Sequence, residues 1–497
     1  MNINPYLGSF QLSGIASGID TQAMVEKLLE IEQQPLNRAQ EKFDTLKYQQ
    51  KLWMEIDNKL EDFYDYLISF KLKSNLIPKK AESSDEQVLT ANAPADAENS
   101  TFYLKVVSLA SPTILAGEGI DPSIKKSSTI SSIVGDTEEA SVSITKGTQS
   151  VNLSVSGEET IEDFINKINN SGLNVEARFD EYNGKFFILN KENGDIDISV
   201  TAESDSNGQT LIEALKIDDS SVSKTVGQYG QVELSFDGVN KSATYDDLQD
   251  NTLNIFGVNI DLKSTSNAYV KVSVEQNIDK SVETIKEFVD KYNEIITYVY
   301  DLLHEEKVTN KSEEDMTEED YMKGALKGNR NLENIFYNLR NILYSSVNLD
   351  NAGSQYKDLF SIGISSGDAG ANYQNTMKGL LTLDEEKLRK TLEENPEDVW
   401  KLFATNDKVN NEYGVSQRVQ NYLYEVTKFN GYIDRIAGTN GTIGNQMRLL
   451  AKDMTNLLDR LQRKEARYYA QFTAMEQAIQ QMSVQGMYIQ NAFSNNK

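Results

Sequence analysis

The 497-residue sequence contains no cysteine and only one histidine. Disulfides, thiolate metal sites and cysteine nucleophiles are therefore excluded. His304 alone cannot complete a two- or three-histidine metal site, so we expect an ordinary surface residue there. The sequence also lacks a G-x-S-x-G elbow, a phosphate-binding glycine loop and an EF-hand pattern, each of which would indicate a specific chemistry. These absences predict that the chain is not an enzyme and holds no cofactor or metal.

Long hydrophobic runs are absent as well. No stretch of roughly 18 uncharged apolar residues occurs, so we expect no transmembrane helix. Residues 1–18 lack a basic start followed by a continuous apolar block. This argues against an ordinary secretory signal peptide but not against export by another route.

The charge is unevenly distributed. The net charge is −27, from 49 basic and 76 acidic residues. Residues 1–80 hold 10 basic and 11 acidic residues, and residues 444–497 hold 7 and 4, which leaves −29 for residues 81–443. An acidic middle repels nucleic acid and anionic lipid, so we expect neither as a partner.

Two segments near the chain ends place mostly apolar residues at alternating steps of three and four. This spacing puts side chains on one stripe of a helix, and such a stripe must be covered by another helix. We therefore predict an assembly seam in which the terminal helices pair with each other or with copies of themselves. The N-terminal seam residues are Leu46, Gln49, Trp53, Ile56, Leu60, Phe63, Leu67 and Phe70. The C-terminal seam residues are Met447, Leu450, Met454, Leu457, Leu461, Lys464, Tyr468, Gln471, Met475, Ala478 and Met482.

Two interpretations of the polar seam residues Lys464 and Gln471 stay open. Either they set the register or number of the paired helices, or the seam is partly solvated there. For the aromatic residues Trp53, Phe63 and Phe70 we expect packing between helices rather than contact with a ligand.

Helical periodicity marks both ends of the chain. A first helix is predicted from an Asp20 N-cap to about Gln34, where Pro35 ends or kinks it because proline has no amide hydrogen. A second helix is predicted over residues 36–73. The acidic stretch 305–320 predicts a solvated loop. Later helices are predicted from Asp279, over 320–346, on both sides of Pro396, over 415–429 and along the C-terminal seam.

Between residues 81 and 277 the pattern changes to short β-prone segments separated by turns. Asn183–Gly184, between two apolar runs, is the strongest hairpin signal, and an amphipathic helix fits Ile161–Asn169. The whole pattern predicts a multidomain α+β fold with long terminal helices forming a coiled-coil or helical-bundle stalk and two β-rich domains inserted in the middle. The predicted parts are a terminal coiled-coil leg (1–40 and 445–497), a helical domain (41–80 and 278–444), a β-rich domain (81–119 and 226–277) and an inserted β-rich outer domain (120–225).

Several motifs, in this order, resemble the flagellar filament-cap family, also called hook-associated protein 2. At the N-terminus they are Ser-Gly-Ile-Ala-Ser-Gly-Ile-Asp over 13–20, Met-Val-Glu-Lys-Leu-Leu over 24–29, and Pro35. The segment 175–195 is similar to a short strand motif of flagellins. The later motifs are Phe-Asp-Gly (236–238), Phe-Gly-Val (256–258), Phe-Val-Asp-Lys-Tyr-Asn (288–293), Gly-Leu-Leu-Thr-Leu-Asp (379–384), Leu-Phe (402–403) and Gln-Phe-Thr-Ala-Met-Glu (471–476).

The resemblance implies a secreted, non-enzymatic protein at the distal tip of the bacterial flagellum. Such a protein is exported unfolded through a narrow channel by a type III apparatus, which a chain without cysteine suits. It forms a small homo-oligomeric ring, in our prediction a pentamer, that holds arriving flagellin and promotes its folding and insertion. Further partners implied are the hook–filament junction proteins and a cytoplasmic export chaperone on the C-terminal helix.

Three alternatives stay open at this point. The same features fit a flagellin-like filament or hook-junction subunit. They also fit a flagellar-tip adhesin that binds host mucin or glycans through its β-rich domains. A glycan hydrolase in the insert is the third, since sequence alone cannot show how acidic residues pair in space.

Overall fold

The computed structural model describes residues 20–203, 206–312, 315–366 and 373–494. The chain divides into two compact units. The first contains the described residues up to Leu72 and those from Val282 onward, and the second is Lys73–Ser281. The chain therefore leaves the first unit once, completes the second and returns.

Helices dominate the first unit. In chain order, the α-helices of the described residues are α1 (Thr21–Phe70), α2 (Lys73–Leu76), α3 (Ile130–Val134), α4 (Ile161–Asn169), α5 (Ser206–Ala214), α6 (Ile278–His304), α7 (Glu318–Met322), α8 (Arg330–Tyr344), α9 (Tyr373–Lys378), α10 (Glu385–Glu394), α11 (Pro396–Ala404), α12 (Val415–Thr427), α13 (Tyr432–Ala437) and α14 (Thr442–Ser494). A 3-10 turn covers Leu359–Ile362.

Strands dominate the second unit. The strands are β1 (Lys79–Ser83), β2 (Leu89–Asn92), β3 (Ser100–Ser108), β4 (Pro112–Glu118), β5 (Ala140–Lys146), β6 (Gln149–Val155), β7 (Val175–Asp180), β8 (Lys185–Asn193), β9 (Ile198–Ala202), β10 (Ser223–Thr225), β11 (Gly230–Ser235), β12 (Ala243–Leu248), β13 (Thr252–Ile255), β14 (Val258–Leu262) and β15 (Val270–Gln276). Two-residue strands, which lie in the first unit, are β16 (Ile364–Ser365), β17 (Thr382–Leu383), β18 (Asn406–Asp407) and β19 (Glu412–Tyr413).

Of the two outcomes predicted at Pro35, an end of the helix is wrong, because α1 runs through it without interruption. Proline at this position removes one amide donor, so the carbonyl of Ile31 loses its helical partner. Pro35 is exposed, and water can therefore solvate that carbonyl. Apolar contacts of Val25, Leu29 and Leu36 with α14 hold both sides of the proline in one helix. The predicted Asp20 cap is confirmed, since its Oδ1 accepts a hydrogen bond from the Ala23 amide at 2.9 Å.

The single helix predicted over 320–346 is also wrong. The structure has two helices here, α7 and α8, and the segment between them contains Gly324 and Gly328 with φ of +69° and +62°. Only glycine adopts such angles without strain, and a Cβ on Gly324 would lie 2.7 Å from the amide nitrogen of Lys307. The helices predicted on both sides of Pro396 and over 415–429 are confirmed as α10, α11 and α12.

The described residues of the second unit form two hydrophobic cores. A five-stranded antiparallel sheet in the order β1-β15-β3-β11-β12 and a three-stranded sheet β13-β14-β2 share one core, which includes Phe102, Val232 and Ile260. The sheets β10-β4-β8-β7 and β6-β5-β9, together with α4 and α5, share the other, which includes Phe164 and Phe186. In both cores alternate strand residues point inward, as antiparallel pleating requires.

The two clearest local predictions in this unit are confirmed. The amphipathic helix is α4, whose start is a capping box between Thr160 and Asp163. The Asn183–Gly184 pair lies in the β7–β8 hairpin, where Asp180 is opposite Lys185. The mixture of long terminal helices with a β-rich middle is thus confirmed. The division into four parts and the coiled-coil nature of the terminal helices stay predictions.

Candidate assembly surface on the terminal helix pair

The two terminal helices, α1 and α14, lie side by side and antiparallel. Val25 and Leu29 pack against Leu461, which is 7% exposed, with Tyr468 and Phe472 beside them. Further along, Leu46 and Gln49 share a groove with Leu449 and Leu450. Rising residue numbers on α1 thus meet falling numbers on α14, which defines the antiparallel direction.

An ion pair connects the two helices. Lys464 of α14 pairs with Glu32 of α1, and the hydroxyl of Tyr468 lies 3.4 Å from Oε1 of Glu32. The hydrogen bond from Lys464 lowers the pKa of Glu32. Of the two polar seam residues, Lys464 thus connects the two helices, whereas Gln471 is exposed.

The structure places the C-terminal seam residues in two groups. Those that are buried or half-buried are Met447, Leu450, Met454, Leu457, Leu461, Lys464 and Tyr468. Those exposed among the described residues are Gln471, Met475, Ala478 and Met482.

The predicted seam drifts around the helix relative to the covered side, because an α-helix has 3.6 residues per turn. A strict alternation of three and four averages 3.5 and drifts by about 20° every seven residues. After Tyr468 the more covered positions are therefore Phe472, Glu476 and Ile479. Sequence reasoning missed these residues, and the spacing of four between Tyr468 and Phe472 is the signal that could have found them.

The N-terminal seam lies mainly in the core of the first unit. Leu46 is half-buried, whereas Trp53, Ile56, Leu60, Phe63, Leu67 and Phe70 are buried. The ring of Phe70 lies 4.9 Å from that of Phe288 on α6 and 5.4 Å from that of Phe403 on α11. The expected packing between helices is confirmed for Phe63 and Phe70, and Trp53 is buried.

The C-terminal end of α14 presents exposed apolar side chains. α1 begins at Thr21, close to the level of Glu476, so the later residues of α14 lie beyond it. Exposed apolar residues on this part of α14 are Met482, Val484, Met487, Tyr488 and Ile489. Met24, Leu28 and Ile31 form a second exposed row along α1. Contiguous exposed apolar surface of this kind is typical of sites that bind other proteins.

The remaining candidate, His304, lies at the end of α6. Its ring stacks on Tyr300 with 3.9 Å between centroids, and Nδ1 is 2.7 Å from the Tyr300 carbonyl oxygen. The residue is exposed, which confirms the expected surface position. In the described ranges, no cluster of three acidic, histidine or cysteine side chains has metal-binding geometry, and no helix combines the length and hydrophobicity needed to span a bilayer.

Comparison with known families decides which proteins this chain groups with. A family model described as the C-terminus of flagellar hook-associated protein 2 matches residues 232–484, and one described as its N-terminus matches residues 17–113. The chain belongs to the flagellar hook-associated protein 2 family. The resemblance drawn from the motifs is therefore confirmed.

Individual hook-associated proteins match over nearly the whole chain. The flagellar hook-associated protein 2 of Thermotoga maritima is 31% identical, and the match covers 99% of this chain and 97% of the relative. That of Halalkalibacterium halodurans is 25% identical over 97% and 99%. The crystal structure of the D1-D2-D3 domains of the flagellar cap protein FliD from Escherichia coli has the same fold. Its TM-score is 0.55 at 18% identity, with 77% of this chain and 97% of that one covered.

Proposed function

We propose that this protein is the cap of a bacterial flagellar filament. It assembles as a small ring at the distal tip, keeps exported flagellin from being lost, and promotes its folding and insertion. The observation that carries the proposal is the antiparallel pair of α1 and α14, in a chain of the hook-associated protein 2 family. This pair has exposed apolar rows, and the β-rich unit lies between its two helices in chain order.

Other features support the proposal. A cysteine-free chain passes through a channel without forming crosslinks. The exposed apolar end of α14 suits a cytoplasmic export chaperone before secretion and a filament or hook–filament junction partner afterwards. A closed ring follows when each copy presents one surface to the next and the rotation returns to the first copy. A pentamer remains our prediction for its size. Nothing in the proposal requires catalysis.

The test is to locate the protein on assembled filaments. Because the chain has no cysteine, a single Tyr182→Cys substitution at a 96% exposed position supplies one thiol for maleimide–gold. The labelled chain is expressed in a strain that lacks its own copy. We expect gold at the distal tip, restored motility, and less flagellin in the medium than in the strain without the chain.

Other label positions would identify the alternatives. Gold along the whole filament would indicate a filament subunit, and gold at the base would indicate a junction subunit. The adhesin alternative is tested with immobilised mucin. Binding that persists after deletion of residues 81–277 would exclude the β-rich domains as the adhesive part.

A further inference from the structure

The α1/α14 pair has two faces of opposite charge. Successive helical residues are rotated by about 100°, and residues three or four apart share a face. Lys464 lies one turn from both Arg460 and Arg467, and Glu32 lies one turn from Leu28. The ion pair between Lys464 and Glu32 therefore crosses the face that carries the arginines of α14 and the apolar row of α1. We name this the basic face and define it by Arg460, Arg463, Arg467, Met24, Leu28 and Ile31.

The opposite side carries carboxylates. Glu26 and Glu30 lie about 120° and 160° around α1 from Glu32, on the side away from Met24, Leu28 and Ile31. Both are exposed. We name this the acidic face and define it by Glu26 and Glu30.

The basic face carries three exposed arginines. Within the described ranges, the guanidinium groups of Arg460, Arg463 and Arg467 form no ion pair, and all three side chains are exposed. The C-terminal segment 444–497 holds 7 basic and 4 acidic residues, so this face is basic although the chain as a whole carries −27. Such a cluster favours an acidic partner and repels a basic one.

We propose that the basic face of one copy docks on the acidic face of the next copy. The proposal rests on the proposed function, and it names the surface that joins neighbouring copies of the ring. Two features favour a second copy as the occupant. The two faces have complementary charge, and they lie at the same level of the helix pair, because Glu32 and Lys464 are adjacent. A contact between two different faces is head-to-tail, which is the arrangement that closes into a ring.

The basic face also carries an apolar row. Met24, Leu28 and Ile31 lie beside the arginines on the basic face and are exposed. Docking removes them from water, which supplies affinity, while the charges supply orientation and specificity. The association therefore weakens as salt increases but retains an apolar component at high ionic strength.

Charge reversal tests the proposal. The variant Arg463→Glu/Arg467→Glu makes both faces acidic, and Glu26→Lys/Glu30→Lys makes both basic. Sedimentation velocity of the full chain at roughly 0.05 and 0.5 M salt compares weak and strong screening. We expect wild-type self-association, and at least about tenfold weaker self-association of each variant, equivalent to about 1.4 kcal/mol. A one-to-one mixture of the two variants restores association, because their faces are complementary.

A matched control separates surface charge from total charge. Lys47→Glu/Lys452→Glu makes the same change in net charge as the arginine variant, at exposed positions at least two helical turns along α1 and α14 from both faces. We expect this control to associate like the wild type, and circular dichroism checks that every variant keeps its helices.

Three results would overturn the proposal. They are a wild-type chain that stays monomeric at low salt, single-face variants that associate normally, and a mixture that stays unassociated. Tip labelling separates this outcome from failure of the proposed function. If a charge-reversed chain is still found at filament tips, the proposed cap function holds and only the proposed interface is excluded.

Discussion

Asn293 shows how one side chain can join two distant segments of the chain. Its Oδ1 accepts a hydrogen bond from the Leu381 amide at 2.8 Å, and its Nδ2 donates to the Leu381 carbonyl at 2.9 Å. Next to it, the hydroxyl of Tyr292 donates to the Gly379 carbonyl at 3.2 Å. The motifs 288–293 and 379–384, which carried the family resemblance, are thus in direct contact. Their role in the structure is to fasten α6 to a loop.

We predict that Asn293→Ala destabilises the first unit by about 1–3 kcal/mol, because the amide and carbonyl of the buried residue Leu381 lose their partners. Urea unfolding followed by circular dichroism measures the effect. The control is Asn58→Ala on α1, where the side chain is exposed and alanine is the better helix former. Equal stability of the two variants would contradict the assigned role.

Asp57 is a partly buried carboxylate near other negative charges. Its Oδ1 and the Nε1 of Trp53, one turn away on α1, are buried without a hydrogen-bond partner in the described part of the chain. Burial, together with the negative charges of Glu61 and Asp434, raises the pKa of Asp57 to about 6. Folding therefore favours the protonated form of the Asp57 carboxyl group.

This raised pKa predicts a pH dependence of stability. The folded chain binds the proton more tightly than the unfolded chain, so its contribution to stability is fully present below pH about 4 and is lost as the pH rises through about 6. Asp57→Asn should stabilise the chain at pH 7 by about 1–2 kcal/mol, after discounting for solvent screening at a partly exposed group. Thermal unfolding at pH 5 and pH 7 measures it, and the exposed Asp62→Asn is the control. A gain of the same size at pH 5 and pH 7 would rule out the titration.

At the scale of elements, α1 depends on its partner to remain one helix. A proline inside a helix costs about 3 kcal/mol, yet α1 continues through Pro35 because α14 covers residues on both sides. We predict that Pro35→Ala slows amide hydrogen exchange in residues 21–50 by tenfold or more, equivalent to about 1.4 kcal/mol. Unchanged exchange would mean that the proline places no strain on the helix.

The contact between α1 and α14 depends on apolar residues of α14. Leu461 is buried and Leu457 is half-buried, so Leu457→Asp/Leu461→Asp places charges in an apolar contact at a cost of several kcal/mol each if fully buried. We predict loss of tip retention and motility, while limited proteolysis still yields an intact 73–281 fragment. Ala451→Asp, at an exposed position on the same helix, is the matched control. Normal motility of the double variant would contradict the role of the pair.

At the scale of the whole molecule, the second unit has what it needs to fold alone. Its described residues form two hydrophobic cores, and strands near its two chain ends pair with each other, since Lys79 is opposite Gln276. We predict that the excised fragment 73–281 unfolds cooperatively. Its midpoint should lie within about 4 °C of the matching transition in the full chain, equivalent to roughly 1 kcal/mol for a domain of this size. Calorimetry measures both, and a fragment without a transition would contradict the division.

The amino-acid sequence alone determined the features that depend on near neighbours. Period and capping signals placed the terminal helices, α4 and the Asn183 hairpin, because these elements are set by contacts within a few residues. The motif order also identified the family. The same rules failed at Pro35 and between Met322 and Arg330, where the outcome depends on contacts that a local pattern does not contain.

Tertiary structure alone decided which partner each apolar stripe has. The residues Trp53 to Phe70 and Met447 to Tyr468 look alike in sequence, but the first group is buried in a domain core and the second lies along α1. It also decided that the arginines of α14 and the glutamates of α1 fall on opposite faces. Both outcomes follow from the level at which two distant helices meet. That level is set by the summed packing of the fold rather than by any local pattern.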